Sequence, residues 1–69
     1  MAEGTVIWFS AERGYGFLAP DDRMEAVFVH YSAFAGAGAV YRPLEASQRV
    51  EFEVVRGLKG PQATVLRRF

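Results

Sequence analysis

The chain has 69 residues, with no cysteine and one histidine, and its eight basic residues balance eight acidic ones. This length leaves room for a single domain, residues 1–69, with a small apolar core and no deep enzyme cleft. Without thiols the chain has no disulfides and no thiolate zinc site, and one histidine does not make a multi-histidine metal site. We therefore expect no metal and no cofactor, and the balanced charge excludes nucleic-acid binding through bulk positive charge alone.

No stretch of the sequence approaches the roughly 18 consecutive apolar residues of a membrane span. The first residues, MAEGTV, lack the charged start and the apolar stretch of a secretory signal. These features predict a cytoplasmic protein with no membrane partner. We expect a monomer, with a dimer as the alternative.

Short runs rich in β-branched and aromatic residues, separated by Gly, Pro, Asp and Ser, predict β-strands. In chain order, the predicted strands are Thr5–Ser10, Gly14–Ala19, Ala26–Tyr31, Arg49–Arg56 and Gln62–Arg68. The turn chemistry of Pro20–Arg23 predicts a hairpin between the second and third strands. Residues 32–48 carry two glycines and a proline without sustained periodicity, which predicts a long functional loop with one helical turn.

Short strands in a chain of this length predict an all-β protein, a five-stranded antiparallel barrel that leaves no exposed sheet edge. An SH3-like barrel is the competing topology. The fourth strand shows the alternation best, because Val50, Phe52 and Val54 share one side and charged residues share the other. These three side chains are predicted to lie in the core.

Alternation also separates aromatic from aliphatic side chains in the second and third strands. The aromatic side carries Tyr15, Phe17, Phe28 and His30, and the aliphatic side carries Leu18, Val27 and Val29. A thin barrel needs one inward side per strand, and the aliphatic set suits it, so the rings are predicted to form an exposed binding surface. Flat rings along strands suit unstacked bases. The opposite orientation is disfavoured because Gly14 and Gly16 would then leave holes on the outer surface.

Further candidates lie beside this surface. Trp8 and Phe9 are adjacent, so alternation aims only one of them outward unless a bulge intervenes, and Trp8 is the first choice. The cations predicted to contact phosphates are Arg13, Arg56 and Lys59. No catalytic residue is predicted, because no nucleophile elbow surrounds a serine and no helix follows GYGFLA, as a dinucleotide site requires.

Four motifs resemble the bacterial cold-shock domain, an OB-fold barrel of five strands. They are GTVxWF at Gly4–Phe9, RGYGF at Arg13–Phe17, VFVHYSA at Val27–Ala33 and GxKGPQA at Gly57–Ala63. The resemblance implies single-stranded RNA or DNA as the partner, and a role as an RNA chaperone or a regulator of transcription or translation. It implies a base-stacking set of Trp8, Phe9, Tyr15, Phe17, Phe28, His30 and Tyr31, with Tyr41 in the long loop.

The chain departs from this family at three positions of the implied surface. Ile7, Ser10 and Ala26 stand where family members usually carry Lys, Asn and Asp, which touch phosphate or base edges. The segment Ala35–Tyr41 is also longer than is usual in the family. Because Ile7 and Ala26 make the patch less polar, a rival function stays open in which the barrel binds a peptide through its aromatic patch.

Overall fold

The computed structural model describes residues 2–22, 25–34, 43–58 and 60–69. Their regular elements are β1 (Ala2–Ser10), β2 (Tyr15–Pro20), β3 (Val27–His30), a 3-10 turn (Tyr31–Ala33), β4 (Arg49–Gly57) and β5 (Gly60–Arg68). Each predicted strand is present. β3 ends one residue before its predicted end, because Tyr31 begins the 3-10 turn. This turn overlaps the first residues of the segment 32–48, in which one helical turn was predicted without a fixed place.

The strands close into a barrel in the order β1-β2-β3-β5-β4, which confirms the predicted barrel. The predicted hairpin pairing of β2 with β3 is also confirmed as antiparallel. One pair, β3 with β5, is parallel. A closed ring with an odd number of strands requires this, because strand directions cannot alternate all the way round it. The all-antiparallel expectation is corrected at this one pair, and the arrangement is that of the OB-fold.

The core is aliphatic, with one aromatic ring at its centre. Its buried members are Val6, Leu18, Val27, Val29, Leu44, Val50, Phe52, Ala63 and Leu66. Val50 and Phe52 are fully buried and Val54 packs against them, so the predicted inward side of β4 is confirmed. Leu44 joins the core from outside any strand, where alternation has no predictive value.

Arg49, the first residue of β4, ties several parts of the barrel together. Its guanidinium donates two hydrogen bonds to the Asp21 carboxylate, at 2.9 and 2.8 Å, and a third to Thr5 Oγ1 at 3.1 Å. Glu3 Oε1 lies 3.5 Å from the same group. The hydrogen bonds from Arg49 lower the pKa of Asp21, and those to Asp21 raise the pKa of Arg49.

Arg68, near the end of β5, contacts both sides of the segment 35–42. Its guanidinium carbon lies 5.0 Å from the centre of the Phe34 ring, just before that segment. Its Nη1 donates a hydrogen bond to the Pro43 carbonyl oxygen at 3.4 Å, just after it. The chain therefore leaves and rejoins the barrel at one side chain.

Candidate nucleic-acid interface

A bulge in β1 turns Trp8 towards solvent. Val6 pairs with Leu18 and Trp8 with Phe17, so Ile7 is an extra residue between two successive register positions. Val6 enters the core, while Ile7 and Trp8 both face outward, with 48% and 42% of their surface exposed. The bulge lies before both Trp8 and Phe9. Ordinary alternation resumes after it, so Trp8 points outward and Phe9 points inward.

Phe9 consequently lies on the inner side of β1. It is half-buried, packs against the core and meets the Phe34 ring edge-on at 5.6 Å between centroids. Gly16 lets β2 lie close to the β1 backbone at this point. A Cβ at Gly16 would collide with the Trp8 carbonyl oxygen and lie 2.7 Å from Phe9 Cα. Phe9 therefore supports the strand that carries Trp8.

Four rings from β1, β2 and β3 form one continuous outer surface, here called the four-ring face: Trp8, Tyr15, Phe17 and Phe28. Trp8 lies 5.9 Å from Tyr15 and 5.8 Å from Phe17 between ring centroids. Phe28 lies 5.7 Å from Tyr15 and 5.9 Å from Phe17. Leu18, Val27 and Val29 are fully buried, so their predicted inward orientation is confirmed and the rings are left outside.

His30 and Tyr31 extend this surface where β3 ends. His30 pairs with Tyr15 in register, and its ring lies 4.4 Å from that of Tyr31. Its Nδ1 accepts a hydrogen bond from the Ser32 backbone N–H at 3.3 Å and lies 3.0 Å from Ser32 Oγ. If β3 continued, Tyr31 would point into the barrel with Val29, but the 3-10 turn leaves Tyr31 44% exposed.

The Tyr31 ring packs directly against Gly14. Its φ of +78° suits glycine, and a Cβ there would lie only 2.7 Å from the ring. Its carbonyl oxygen accepts the Tyr31 backbone N–H at 2.9 Å. A depression of about 270 Å³ beside the ring is lined by Ala11, Glu12, Arg13, Gly14 and Tyr31.

The predicted cations are placed differently from one another. Arg13 is exposed beside the four-ring face and donates a hydrogen bond to the Tyr15 hydroxyl at 3.4 Å. This hydrogen bond raises the pKa of Arg13. Arg56 is exposed on β4, where it pairs with Pro61 of β5. Lys59 and Tyr41 lie outside the described residues. Of the two predicted cations that the structure describes, Arg13 is the one with a hydrogen bond to a residue of the four-ring face.

Gln62 also adjoins this surface, although it was not among the residues predicted from the sequence. Gln62 lies beside Phe28 in the parallel pair of β3 and β5. Alternation with the small residue Ala63 was the available signal for an outward side chain. Its neighbour, however, depends on how the barrel closes, which local sequence patterns do not specify.

A closed five-stranded barrel with exposed rings on adjacent strands is the architecture of OB-fold domains that bind single-stranded nucleic acid. The family model described as "'Cold-shock' DNA-binding domain" matches residues 2–69. The chain belongs to this family, and the resemblance seen in its motifs is confirmed.

Relatives support the same assignment. The chain is 55% identical over 67 residues to "Probable cold shock protein A" of Mycolicibacterium smegmatis, covering 97% of both chains. It is 54% identical over 67 residues, again 97% of both, to the protein of that name in Mycobacterium tuberculosis. It is 56% identical over 63 residues, 91% of both, to "Major cold shock protein" of Micrococcus luteus.

This membership makes the chain a nucleic-acid-binding protein of the cold-shock class, which is a class of binding proteins and not of enzymes. It favours nucleic acid over the rival peptide ligand. Among the residues that the structure describes, no helix has the length and apolar character needed to span a membrane. Within the same residues, no three metal-ligating side chains are grouped.

Proposed function

We propose that this protein binds single-stranded RNA or DNA by stacking successive bases on the four-ring face and on the neighbouring His30 and Tyr31 rings. The observation that carries the proposal is that four rings, each in contact with two of the others, lie on the outside of three adjacent strands. Every base has a π-face, so each platform contributes about 1–3 kcal/mol whatever the sequence. Ordering the strand offsets part of this gain.

The supporting residues have distinct proposed roles. Phe9 holds β1 from beneath, and Tyr41 adds a platform from the long loop. Arg13, Arg56 and Lys59 contact phosphates. Arg13 has the clearest support, because its guanidinium already lies at the Tyr15 hydroxyl.

The proposed cellular role is that of an RNA chaperone or a regulator of transcription or translation. Unstacked bases fit the face and a duplex does not, so binding shifts an RNA hairpin towards its open form by mass action without ATP. We propose that residues 1–69 act as one domain, as a monomer in the cytoplasm. The absence of net charge in the whole sequence supports binding through stacking more than through bulk electrostatics.

The proposed binding mode neutralises few phosphates, so the binding constant should depend only weakly on the salt concentration. Each phosphate contact contributes about 0.7 to the slope of log K against log salt for a single strand. Arg13 is held at the rings, so we expect a slope that corresponds to only a few phosphate contacts. A steep slope would indicate electrostatic binding in place of stacking.

Trp8 fluorescence tests the proposal directly. Trp8 is the only tryptophan of the chain, and its ring is 42% exposed. We expect strong quenching by a single-stranded pyrimidine oligonucleotide, weak quenching by the matching duplex and none by a proline-rich peptide. Quenching by the peptide at similar concentrations, or no response to the single strand, would refute the proposal.

A further inference from the structure

Hydrogen bonds from Ser10 hold the turn between β1 and β2. Ser10 is the last residue of β1 and pairs with Tyr15, the first residue of β2. The Ser10 carbonyl oxygen accepts the Gly14 backbone N–H at 2.8 Å, and Ser10 Oγ accepts the Arg13 backbone N–H at 3.2 Å. The backbone of Arg13 is therefore held close to Tyr15, a member of the four-ring face.

The Arg13 side chain is bound to a neutral group. Its Nη1 donates a hydrogen bond to the Tyr15 hydroxyl at 3.4 Å. In the described parts of the chain Arg13 makes no ion pair, although Glu12 is its neighbour in sequence. Arg49, by contrast, is paired with Asp21 at 2.8 Å. The positive charge of Arg13 is therefore available to an anion from outside the protein.

The Tyr15 hydroxyl also has a donor to offer. A phenol both donates and accepts hydrogen bonds. The Tyr15 oxygen accepts the Arg13 N–H, and among the described residues no acceptor takes the phenolic proton. A hydroxyl that accepts one hydrogen bond becomes a stronger donor for the next, because such bonds polarise one another. The phenolic O–H and the remaining N–H groups of Arg13 thus adjoin each other at the edge of the Tyr15 ring.

This group of donors matches a phosphodiester. A base that covers the Tyr15 ring carries its sugar and phosphate outside the ring, where the hydroxyl lies. Arginine and tyrosine side chains both contact phosphate oxygens, and hydrogen bonds to an ionised group are stronger than those between neutral groups. We propose that the Tyr15 hydroxyl and the Arg13 guanidinium together bind one backbone phosphate, an inference that rests on the proposed stacking function. The Tyr15 ring then stacks on a base while its hydroxyl binds the backbone.

The test separates the two roles of Tyr15. Tyr15→Phe removes the hydroxyl and keeps the ring, and Arg13→Met removes the donors and the charge. Arg67→Met is the matched control, because Arg67 is exposed on β5 and pairs with Glu51. The ligands are heptathymidylate and the same oligonucleotide with uncharged methylphosphonate linkages, which keeps every base. Dissociation constants are measured from Trp8 fluorescence at one low salt concentration.

The two ligands show whether the hydroxyl acts on the phosphate. We expect Tyr15→Phe to weaken binding of heptathymidylate about fivefold, the net worth of one hydrogen bond, and binding of the uncharged strand clearly less. An equal loss on both ligands, or no loss on either, would overturn the inference. Arg13→Met should weaken heptathymidylate binding more than Arg67→Met does. Equal effects of these two variants would show that only net charge matters and would also overturn it.

The double variant shows whether the hydroxyl touches the ligand itself. A hydroxyl that only held Arg13 in place would have no further effect once Arg13→Met is present. We expect Tyr15→Phe to weaken heptathymidylate binding by about twofold or more in that background, and no loss there would overturn the inference. If the unaltered protein bound both ligands equally well, the phosphate contact would be refuted and base stacking would stand. If it bound neither, the proposed function itself would fail.

Discussion

Trp8 lies opposite Phe17 in the β1–β2 pair, and the two ring centroids are 5.8 Å apart with their planes tilted by 55°. The extra residue at Ile7 produces this relationship, because it lets the chain place Val6 in the core and the indole outside two residues later. Side-by-side rings keep their faces available for ligand, whereas parallel stacking on each other would hide them. The bulge thus determines the extent of the four-ring face.

Removing single rings tests the stacking surface. Tyr15→Ala and Phe28→Ala should each weaken binding of a pyrimidine oligonucleotide by about 5- to 150-fold, since a platform contributes about 1–3 kcal/mol. Because these rings lie 5.7 Å apart, the double variant should lose less than the sum of the two free energies. Phe69→Ala is the control, since Phe69 is 71% exposed outside the face. Unchanged binding by either single variant would contradict the model.

A new cation at the bulge should strengthen binding. Ile7 is 48% exposed next to Trp8, so Ile7→Lys places an ammonium group at the border of the four-ring face. We expect tighter binding at low salt and a salt slope steeper by about 0.7, the value for one more phosphate contact. Phe69→Lys adds the same charge at the end of β5 and should leave the slope nearly unchanged. Equal slopes for both variants would show that only net charge matters.

Acid should weaken the barrel through the ion pair of Asp21 and Arg49. The hydrogen bonds from Arg49 hold the pKa of Asp21 below its ordinary 3.8 in the folded chain. Its contribution to stability is therefore present above that value and is lost as the pH falls through the lowered pKa. The melting temperature of Asp21→Asn should be lower at neutral pH and fall less steeply in acid.

Two controls accompany this pH series. Asp22→Asn removes the neighbouring carboxylate, which lies outside the Arg49 cluster, and should follow the unaltered protein. High salt should reduce the difference in melting temperature between Asp21→Asn and the unaltered protein at neutral pH. The ion pair of Asp21 and Arg49 is exposed, so salt screens it. Parallel melting curves for Asp21→Asn and the unaltered protein across the acid range would contradict the proposed contribution.

Val65 is expected to limit stability. It has a φ of +49°, a left-handed conformation that a β-branched residue adopts at a cost of roughly 1–2 kcal/mol. A register shift places Val65 and Leu66 together opposite Phe52, which keeps Leu66 in the core and leaves Val65 outside. Asparagine tolerates this conformation, so Val65→Asn should raise the free energy of unfolding in urea by about 1 kcal/mol.

Val55→Asn is the matched control for that change. Val55 is exposed on the neighbouring strand without a positive φ, so asparagine there should lower stability because it favours strands less than valine does. Opposite signs for the two substitutions are the expected result. A loss of stability at both positions would show that the backbone at Val65 is not strained.

Local patterns predicted the elements and the two sides of the strands well. Alternation, together with the need of a thin barrel for an aliphatic inner side, placed Leu18, Val27 and Val29 in the core, and the structure confirms it. The pattern holds because each strand has one side in a small core, where a slip by one residue would bury the wrong set.

The remaining features depend on a bulge, on the end of a strand and on the closure of the barrel, none of which the alternation of side chains predicts. Phe9 lies inside because the bulge falls at Ile7, and Tyr31 lies outside because β3 ends at His30. The place of Gln62 depends on barrel closure, which joins strands distant in sequence. The parallel pair itself follows from the strand count once closure is assumed, so it was predictable by argument though not by pattern.

The Arg68 contacts have a consequence for how such a chain diversifies. Phe34 and Pro43, the two ends of the intervening segment, meet at one guanidinium, so the barrel has the same boundary whatever lies between them. Lengthening a connection adds little closure entropy, which grows only with the logarithm of its length. We therefore expect the barrel to accept changes in the number of residues between positions 34 and 43, while Trp8, Tyr15, Phe17 and Phe28 keep their places on the strands.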